Sequence, residues 1–143
     1  MRVAPAMSGE ARRAAGAAID YPVCLRLAGR RVLVVGGGRI ARGRALGLRD
    51  AGARVDVVAP RIDAELEAAA RRGELTLVRR AWRADDLAGA AIAVVAIDDR
   101  AEAARIAAAA RARGVPVTVA DQPVLCDFTM PSVGRRGPIT LAV

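Results

Sequence analysis

Three consecutive glycines directly after a short apolar run constrain the fold of this chain more than any other feature. The run at 31–35 reads RVLVV and is followed by Gly36–Gly38. Continuous apolar runs of this length are typical of a parallel strand that is covered on both faces. Ala41, Ala45 and Leu48 then recur at helical spacing. The sequence therefore predicts a strand, a tight glycine turn and a helix in succession.

The same alternation of strand and helix continues along the chain. Predicted strands lie at 31–35, 54–59, 75–78, 91–97, 115–119 and 139–143. Predicted helices follow the three glycines, span 63–72 and run from Asp99 to Gly114. Alternating elements imply βαβ units, and right-handed crossovers between them give a Rossmann-type, doubly wound parallel α/β sheet. We expect the strand order 3-2-1-4-5 plus a terminal sixth strand.

One folded domain accounts for most of the chain. Its 143 residues match the usual size of a domain, and a hydrophobic content of 54% is ample for a core. We expect this Rossmann-type domain at 21–143, after an Ala/Gly/Arg-rich tail at 1–20 that is disordered and lacks the apolar core of a signal peptide. No apolar run approaches the roughly 18 residues of a membrane span, so no membrane partner is predicted.

The glycine turn predicts a dinucleotide site. Residues 36–41 read GGGRIA and fit the pattern G-x-G-x-x-[G/A]. Gly36 permits a tight turn, Gly38 allows the backbone to approach a pyrophosphate, and Ala41 lets the helix lie close to the strand. The N-terminus of that helix then presents free N–H groups to the phosphates. The alternative is a glycine-rich turn that binds no ligand.

The end of the second strand leaves the choice between NAD and NADP open. An acidic residue that binds the ribose hydroxyls is usual there, but the sequence reads Ala59-Pro60-Arg61. Asp56 comes too early, and we interpret it as a strand residue that reaches solvent or a partner. Arg61 could contact the adenosine ribose or the phosphates, and it is also compatible with NADP.

Two acidic features follow the ends of strands, where ligands bind in open α/β sheets. Asp98 and Asp99 follow the fourth strand. Asp99, with Glu102 three residues later, is favoured as a helix cap, and Asp98 is expected to line the cofactor cleft. Asp121 follows the fifth strand, either as a turn-forming residue ahead of Pro123 or as a general acid or base beside the nicotinamide.

Residue types that are rare or absent exclude several classes of site. The chain has one Trp, one Tyr and one Phe, too few for the aromatic platforms that bind single-stranded nucleic acid. It has no His, and its two cysteines, Cys24 and Cys126, are isolated. Neither an intrachain metal site nor a disulfide is therefore predicted.

All 23 basic residues are arginines, and the formal net charge is +8. This excess reflects either a compositional bias toward Arg or attraction to a polyanion such as nucleic acid or a multi-carboxylate metabolite. The arginines are scattered rather than aligned in a stripe, which argues against a DNA-binding face. We therefore expect no nucleic-acid partner.

The sequence also resembles one known family along most of its length. Tyr21-Pro22 opens the resemblance, and Gly29-Arg30 leads into the glycine turn. The most distinctive stretch, 119–128, reads VADQPVLCDF. Further matching segments are 51–53, 57–60, 85–90, 96–99, Pro131 and 136–137. These features resemble the precorrin-2 dehydrogenase/sirohydrochlorin ferrochelatase family, which also forms the N-terminal part of siroheme synthase.

The resemblance implies the NAD-dependent oxidation of precorrin-2 to sirohydrochlorin in siroheme biosynthesis, in the cytoplasm, with ferrochelatase activity as a further property of the family. It makes Asp121 the candidate acid or base, also implicated in iron insertion. It puts Arg39, Ile40, Pro60 and Arg61 at cofactor-contacting positions, and it favours NAD as the cofactor. Precorrin-2 carries many carboxylates, which suits an Arg-rich surface.

The sequence departs from the family at several positions. Thr118 stands where the family has Asn, Ile97 where it has Thr, and Arg42-Gly43-Arg44 where it has an Arg-Lys pair. The family continues past the position of Val143 with a Ser/Gly-rich turn, a dimerisation region and a small helical domain. Chelatase activity, the family's homodimer and efficient dehydrogenation therefore stay open, as does the choice between a fragment and a degenerate paralogue. The alternative function is a non-catalytic NAD(H)-binding or redox-sensing Rossmann domain.

Overall fold

The computed structural model describes residues 20–143, so the predicted tail lies, apart from its last residue, outside the described residues. The strands are β1 (Arg31–Val35), β2 (Arg54–Val58), β3 (Thr76–Val78), β4 (Ile92–Val95), β5 (Val117–Val119), β6 (Val133–Arg136) and β7 (Ile139–Ala142). The helices are α1 (Arg39–Asp50), α2 (Ala64–Arg71) and α3 (Arg100–Ala112). Short 3₁₀ helices span Ala84–Leu87 and Pro123–Leu125.

Five parallel strands form the central sheet in the order β3-β2-β1-β4-β5, as predicted. Val34 of β1 pairs with Val57 of β2 on one side and with Val94 of β4 on the other. The order of the strands reverses between β1 and β4, and this is where doubly wound sheets open a crevice beyond the carboxyl ends of the strands. The Rossmann-type fold is therefore confirmed.

The core lies on both faces of the sheet because the side chains of each strand alternate between the faces. Val32 and Val34 of β1 pack on the face that carries α1 and α2, together with Leu66. Leu33 of β1 packs on the opposite face with Ile106 of α3. Each of these side chains is fully or almost fully buried, and burial of one such side chain contributes about 1.5–3 kcal/mol. The continuous apolar runs in the sequence follow from this two-sided burial.

The chain ends in a two-stranded antiparallel hairpin that is separate from the parallel sheet. The strand predicted at 139–143 is present as β7, but it pairs with β6, a strand that the sequence analysis did not predict. The backbone N–H and C=O groups of β7 therefore form hydrogen bonds within the hairpin, and β7 does not extend the central sheet. Every residue of the hairpin is exposed. Among residues 20–143, no helix is both long enough and apolar enough to span a membrane.

Candidate functional site

The glycine turn between β1 and α1 is packed tightly against two neighbouring loops. Gly36 has a φ of +127°, and a Cβ atom added there would lie 2.1 Å from the carbonyl oxygen of Ala96, in the loop after β4. A Cβ on Gly37 would lie 2.0 Å from the carbonyl oxygen of Arg61, in the loop after β2. Side chains are therefore excluded at both positions by the backbone of the adjacent loops.

Gly38 differs from the other two glycines because its surroundings are open. It is exposed, and an added Cβ would meet no atom within 4 Å. It is the N-terminal cap of α1 and provides no side chain for the free amides of the first turn, which also contains no acidic residue. The first amides of a helix, here those of Arg39 and Ile40, have no acceptor within the helix. This end of α1 thus offers free N–H groups and a partial positive charge to an anion.

The N-termini of the other two helices are closed by side chains. The carboxylate of Asp63 accepts the amide of Glu65 at 2.8 Å and caps α2. The carboxylate of Asp99 accepts the amide of Glu102 at 3.0 Å and caps α3, the role that the sequence favoured. Glu102 does not complete a capping box, because its own carboxylate accepts hydrogen bonds from Trp82 and Arg105. Of the three helices described, α1 alone begins without a capping side chain.

The loop after β2 is attached to the glycine turn by its backbone. The amide of Asp63 donates to the carbonyl oxygen of Gly37 at 2.7 Å. Pro60 and Arg61 lie exposed in this loop. Asp56, interpreted from the sequence as a strand residue that reaches solvent or a partner, forms an ion pair with Arg31 at 2.6 Å.

The loop after β4 forms the other wall of the crevice. The carbonyl oxygen of Ala96 packs on Gly36, as described above, and Asp98 is exposed two residues further on. The amide of Ala96 donates to the carbonyl oxygen of Val35 at 2.8 Å, which fixes the start of this loop to the end of β1. The predicted residues of the glycine turn and Asp98 therefore come together at one edge of the sheet.

Asp121 lies at the same edge of the sheet, immediately after β5. Its φ is +59°, and it is the only non-glycine residue with positive φ in the part of the chain that is described. This backbone region is sparsely populated except by Gly, Asn and Asp, and residues held there cluster at functional sites. The carboxylate is exposed and borders a cavity of about 160 Å³.

Arg44 of α1 lines the same cavity as Asp121 and was not identified as a site residue from the sequence. Its Nη1 atom lies 3.5 Å from the carbonyl oxygen of Met130, and its side chain is partly buried. Arg44 follows Ala41 by three residues, so helical spacing puts the two side chains on one face of α1. This spacing in the sequence could have indicated Arg44 as a site residue.

The segment after Asp121 returns to cover the outer edge of β5. The amide of Val119 donates to Cys126 Sγ at 3.2 Å, and the amide of Val117 donates to Asp127 Oδ2 at 3.0 Å. The amide of Asp127 donates in turn to the carbonyl oxygen of Val117 at 2.8 Å. The thiol of Cys126 lies 3.4 Å from the carbonyl oxygen of Gln122, within the turn that carries Asp121. Cys126 and Asp127 thus provide hydrogen-bond partners for backbone groups at the open edge of β5, and they hold the turn in place.

Known proteins are similar to this chain over most of its length. Residues 23–132 match the family model NAD_binding_7, described as "Putative NAD(P)-binding". Siroheme synthases of Pseudomonas entomophila and Azotobacter vinelandii are 43% and 44% identical over 126 residues, which are 87% of this chain and 27% of each relative. The solved structure of "SirC, precorrin-2 dehydrogenase" is 33% identical with a TM-score of 0.71, over 87% of this chain and 61% of that one. These matches confirm the resemblance found in the sequence, and the chain spans about a quarter of the length of the siroheme synthases.

Proposed function

The chain belongs to the NAD(P)-binding family NAD_binding_7, and from this premise we propose that it oxidises precorrin-2 to sirohydrochlorin with NAD⁺ as the hydride acceptor. One observation carries the proposal. An open glycine turn and a free carboxylate, that of Asp121, lie at the same edge of one parallel sheet. The similarity to siroheme synthases and to a precorrin-2 dehydrogenase supports this choice of reaction.

The residues of the crevice fit a nicotinamide dinucleotide. The open side of Gly38 and the free amides of Arg39 and Ile40 suit the pyrophosphate, because no side chain fills that space. Pro60 and Arg61 would flank the adenosine, and Asp98 would line the opposite wall. When bound, the dinucleotide supplies the acceptor for a hydride.

Asp121 acts as the base in this proposal. Oxidation of precorrin-2 removes a hydride and a proton, and the carboxylate oxygen of Asp121 takes the proton. Its position in a cavity lined by Arg44 suits a substrate with many carboxylates, since a guanidinium can bind a carboxylate through two hydrogen bonds. Iron insertion, the further activity implied by the resemblance, would use the same carboxylate.

A second candidate is a dinucleotide-binding domain without catalysis of its own. The cavity beside Asp121 has a volume of about 160 Å³, whereas pockets for small molecules usually have about 300–1,000 Å³. This small volume favours a domain that binds the dinucleotide and needs further surface to enclose a tetrapyrrole.

The decisive experiment follows precorrin-2 with NAD⁺ by absorbance, using the full chain and the variant Asp121→Asn. Asn tolerates positive φ as well as Asp does, so the turn should keep its shape. We expect the rate to fall by about 10²–10⁴-fold while the dissociation constant of NAD⁺ stays the same. The control is Asp85→Asn, which changes an exposed carboxylate of the first 3₁₀ helix.

Each outcome separates the alternatives. Full activity of Asp121→Asn would disprove the role of Asp121 as base. Binding of NAD⁺ without any conversion of precorrin-2 by the unaltered chain would favour the non-catalytic domain. Failure to bind either NAD⁺ or NADP⁺ would contradict both candidates.

A further inference from the structure

We infer that the cavity beside Asp121 binds a single carboxylate side chain of the substrate, through the guanidinium of Arg44 and the hydroxyl of Thr118. The inference rests on the proposed function and deepens it, because it assigns a site to one part of a polycarboxylate tetrapyrrole. The ring system would lie outside the cavity, over the edge of the sheet that carries Asp121. Three features support the inference: the size of the cavity, the unpaired cation and the buried hydroxyl.

The cavity has the size of one side chain of the substrate and not of the whole molecule. Its volume is about 160 Å³, whereas a pocket that encloses a small molecule usually has about 300–1,000 Å³. A protein cavity of about 150 Å³ can hold benzene, and a carboxymethyl or carboxyethyl chain has fewer non-hydrogen atoms than benzene. Residues of β4, β5 and α1 line the cavity, namely Val94, Thr118 and Arg44.

Arg44 provides the cavity with a cation that has no acidic partner. Its side chain is partly buried, and its Nη1 atom makes a long hydrogen bond of 3.5 Å to the carbonyl oxygen of Met130. Among residues 20–143, this guanidinium has no other acceptor and belongs to no ion pair. A guanidinium can bind both oxygens of a carboxylate through parallel hydrogen bonds. Arg44 can do so without breaking an existing ion pair.

Thr118 provides a buried hydroxyl whose partner is weak. In the part of the chain that the structure describes, it is the only polar or charged residue that is buried, with 8% of its surface accessible. Its hydroxyl donates to Cys126 Sγ at 3.5 Å, and a sulfur atom is a weak acceptor. A carboxylate oxygen in the cavity would accept a stronger hydrogen bond, since hydrogen bonds to charged groups are the stronger ones.

The charges and depths of the lining residues suit one carboxylate chain with the ring beside Asp121. Thr118 is buried and Arg44 is partly buried, whereas Asp121 is exposed. The carboxylate chain therefore enters toward the cation and the hydroxyl, and the ring remains near the proposed base. The guanidinium offsets the repulsion that the carboxylate of Asp121 exerts on a second carboxylate. Arg44 and Thr118 also lie in two segments where the sequence departs from the family it resembles, and both departures meet in this cavity.

The test measures the binding of uroporphyrin III, a stable tetrapyrrole with carboxymethyl and carboxyethyl side chains, to the full chain by quenching of its fluorescence. We expect Arg44→Gln to weaken this binding by about tenfold or more, because hydrogen bonds between charged groups are lost. Arg44→Lys keeps the charge without the planar fork and should recover part of the affinity. Thr118→Val removes the hydroxyl at similar size and should weaken binding by about threefold to tenfold.

The matched control is Arg113→Gln at the end of α3. Arg113 is exposed, and its guanidinium likewise lies 3.5 Å from a single carbonyl oxygen, that of Ala109. Its replacement should leave the affinity for uroporphyrin III unchanged. The affinity for NAD⁺, measured by calorimetry, should change by less than about threefold in all of these variants, which shows that the fold is retained.

Three results would overturn the inference. The first is a failure of the unaltered chain to bind uroporphyrin III, and the second is equal affinity of Arg44→Gln and the unaltered chain. The third is a parallel loss of NAD⁺ affinity in Arg44→Gln and Thr118→Val, which would show that these side chains support the fold and not a subsite. The proposed function is tested separately, because NAD⁺ binding and precorrin-2 conversion by the unaltered chain do not depend on these variants.

Discussion

At the residue scale, the three glycines of the turn have different physical roles. Gly36 and Gly37 leave no room for a methyl group, since the backbone of adjacent loops lies within 2.1 Å of the added atom. These two positions are required by the fold whether or not a ligand binds. Gly38 has open space beside it, so only an approaching ligand would require its small size.

The variant Gly38→Ala tests this distinction. Its φ of −89° is accessible to alanine, so we expect the unfolding free energy to stay within about 1 kcal/mol of the original. The affinity for NAD⁺ should fall by tenfold or more, because the methyl group would occupy the path of the pyrophosphate. Urea denaturation and calorimetry measure the two quantities. The control is Gly43→Ala, which lies in an equally open position further along α1 and should bind NAD⁺ as tightly as the original chain. Unchanged affinity of Gly38→Ala for NAD⁺ would show that the turn does not contact the phosphates.

At the element scale, the outer edge of β5 is closed by two side chains and one backbone amide of the following segment and not by another strand. Cys126 and Asp127 accept the amides of Val119 and Val117, and Arg111 of α3 holds the carboxylate of Asp127 at 3.0 Å. An unpaired strand edge invites pairing with another chain, and short edges covered in this way avoid it. The same contacts position the turn at Asp121, so the stability of the edge and the geometry of the site are linked.

Removal of the Asp127 carboxylate should therefore loosen β5. In Asp127→Ala the amide of Val117 and the guanidinium of Arg111 lose their shared acceptor, and we expect a loss of about 1–3 kcal/mol in unfolding free energy. Hydrogen exchange at Val117 should accelerate in parallel. Asp98→Ala, at an exposed carboxylate after β4, should change neither quantity. Unchanged exchange at Val117 in Asp127→Ala would contradict the edge-covering role.

The loop between β3 and β4 depends on a second partly buried carboxylate, that of Asp86. Its two oxygens accept hydrogen bonds from Arg80 at 2.9 and 2.6 Å, and one of them also accepts the amide of Arg83 at 2.7 Å. The hydrogen bond from Arg80 holds the pKa of Asp86 below its usual value, against the opposing effect of burial, and the Arg83 amide adds to the lowering.

A carboxyl whose pKa is lower in the folded state stabilises the fold above its unfolded pKa, about 3.9 for Asp, and this contribution is lost as pH falls through the folded pKa. We expect Asp86→Asn to be less stable by about 1–3 kcal/mol at pH 7. The difference from the original chain should persist at pH 5 and shrink below about pH 4. Urea denaturation from pH 3 to pH 7 measures it, with Asp85→Asn as the exposed neighbour control. A difference that is independent of pH would show that ionisation of Asp86 is not involved.

The elements that the sequence predicted are those in which the pattern is local. The apolar runs are visible in consecutive residues, and with the rule for crossovers they predicted the five parallel strands and their order. The helix cap Asp99 is visible in the same way. The contacts of Cys126 with β5 and the position of Arg44 beside Asp121 depend on which elements fold together. The strand β6 contains Gly134 and two arginines, a composition that favours no strand by itself, and it forms because β7 can pair with it.

At the scale of the whole molecule, the structure explains part of the arginine excess. Eight arginines form ion pairs with acidic side chains among the described residues, and most of these pairs connect neighbouring elements: Arg31, Arg42, Arg49, Arg72, Arg79, Arg80, Arg105 and Arg111. Other arginines lie at the edge of the sheet that carries the candidate site, namely Arg39, Arg44 and Arg61. Arginines at this edge suit the proposed ligands, a pyrophosphate and a substrate with many carboxylates. The ion-paired arginines, which connect parts of the fold, are thus distinct from the three arginines that lie beside the candidate site.

The terminal hairpin, β6 with β7, should be dispensable for the stability of the domain. Its residues are all exposed, and Val133, Ile139 and Leu141 keep 52%, 68% and 63% of their surface accessible. The preceding residues Phe128 and Met130, in contrast, pack against the buried cluster beneath α1 and α2. The hairpin contributes apolar surface to the exterior and none to either core cluster.

Two truncations distinguish these contributions. Deletion of 132–143 should leave the unfolding free energy within about 0.5 kcal/mol, as expected for residues outside the core. Deletion of 128–143 also removes Phe128 and Met130 and should cost about 2–4 kcal/mol, because their burial against the first core cluster is lost. Urea denaturation of both truncated chains measures the difference. A large loss on removal of 132–143 alone would show that the hairpin packs on the domain, in conflict with its exposure.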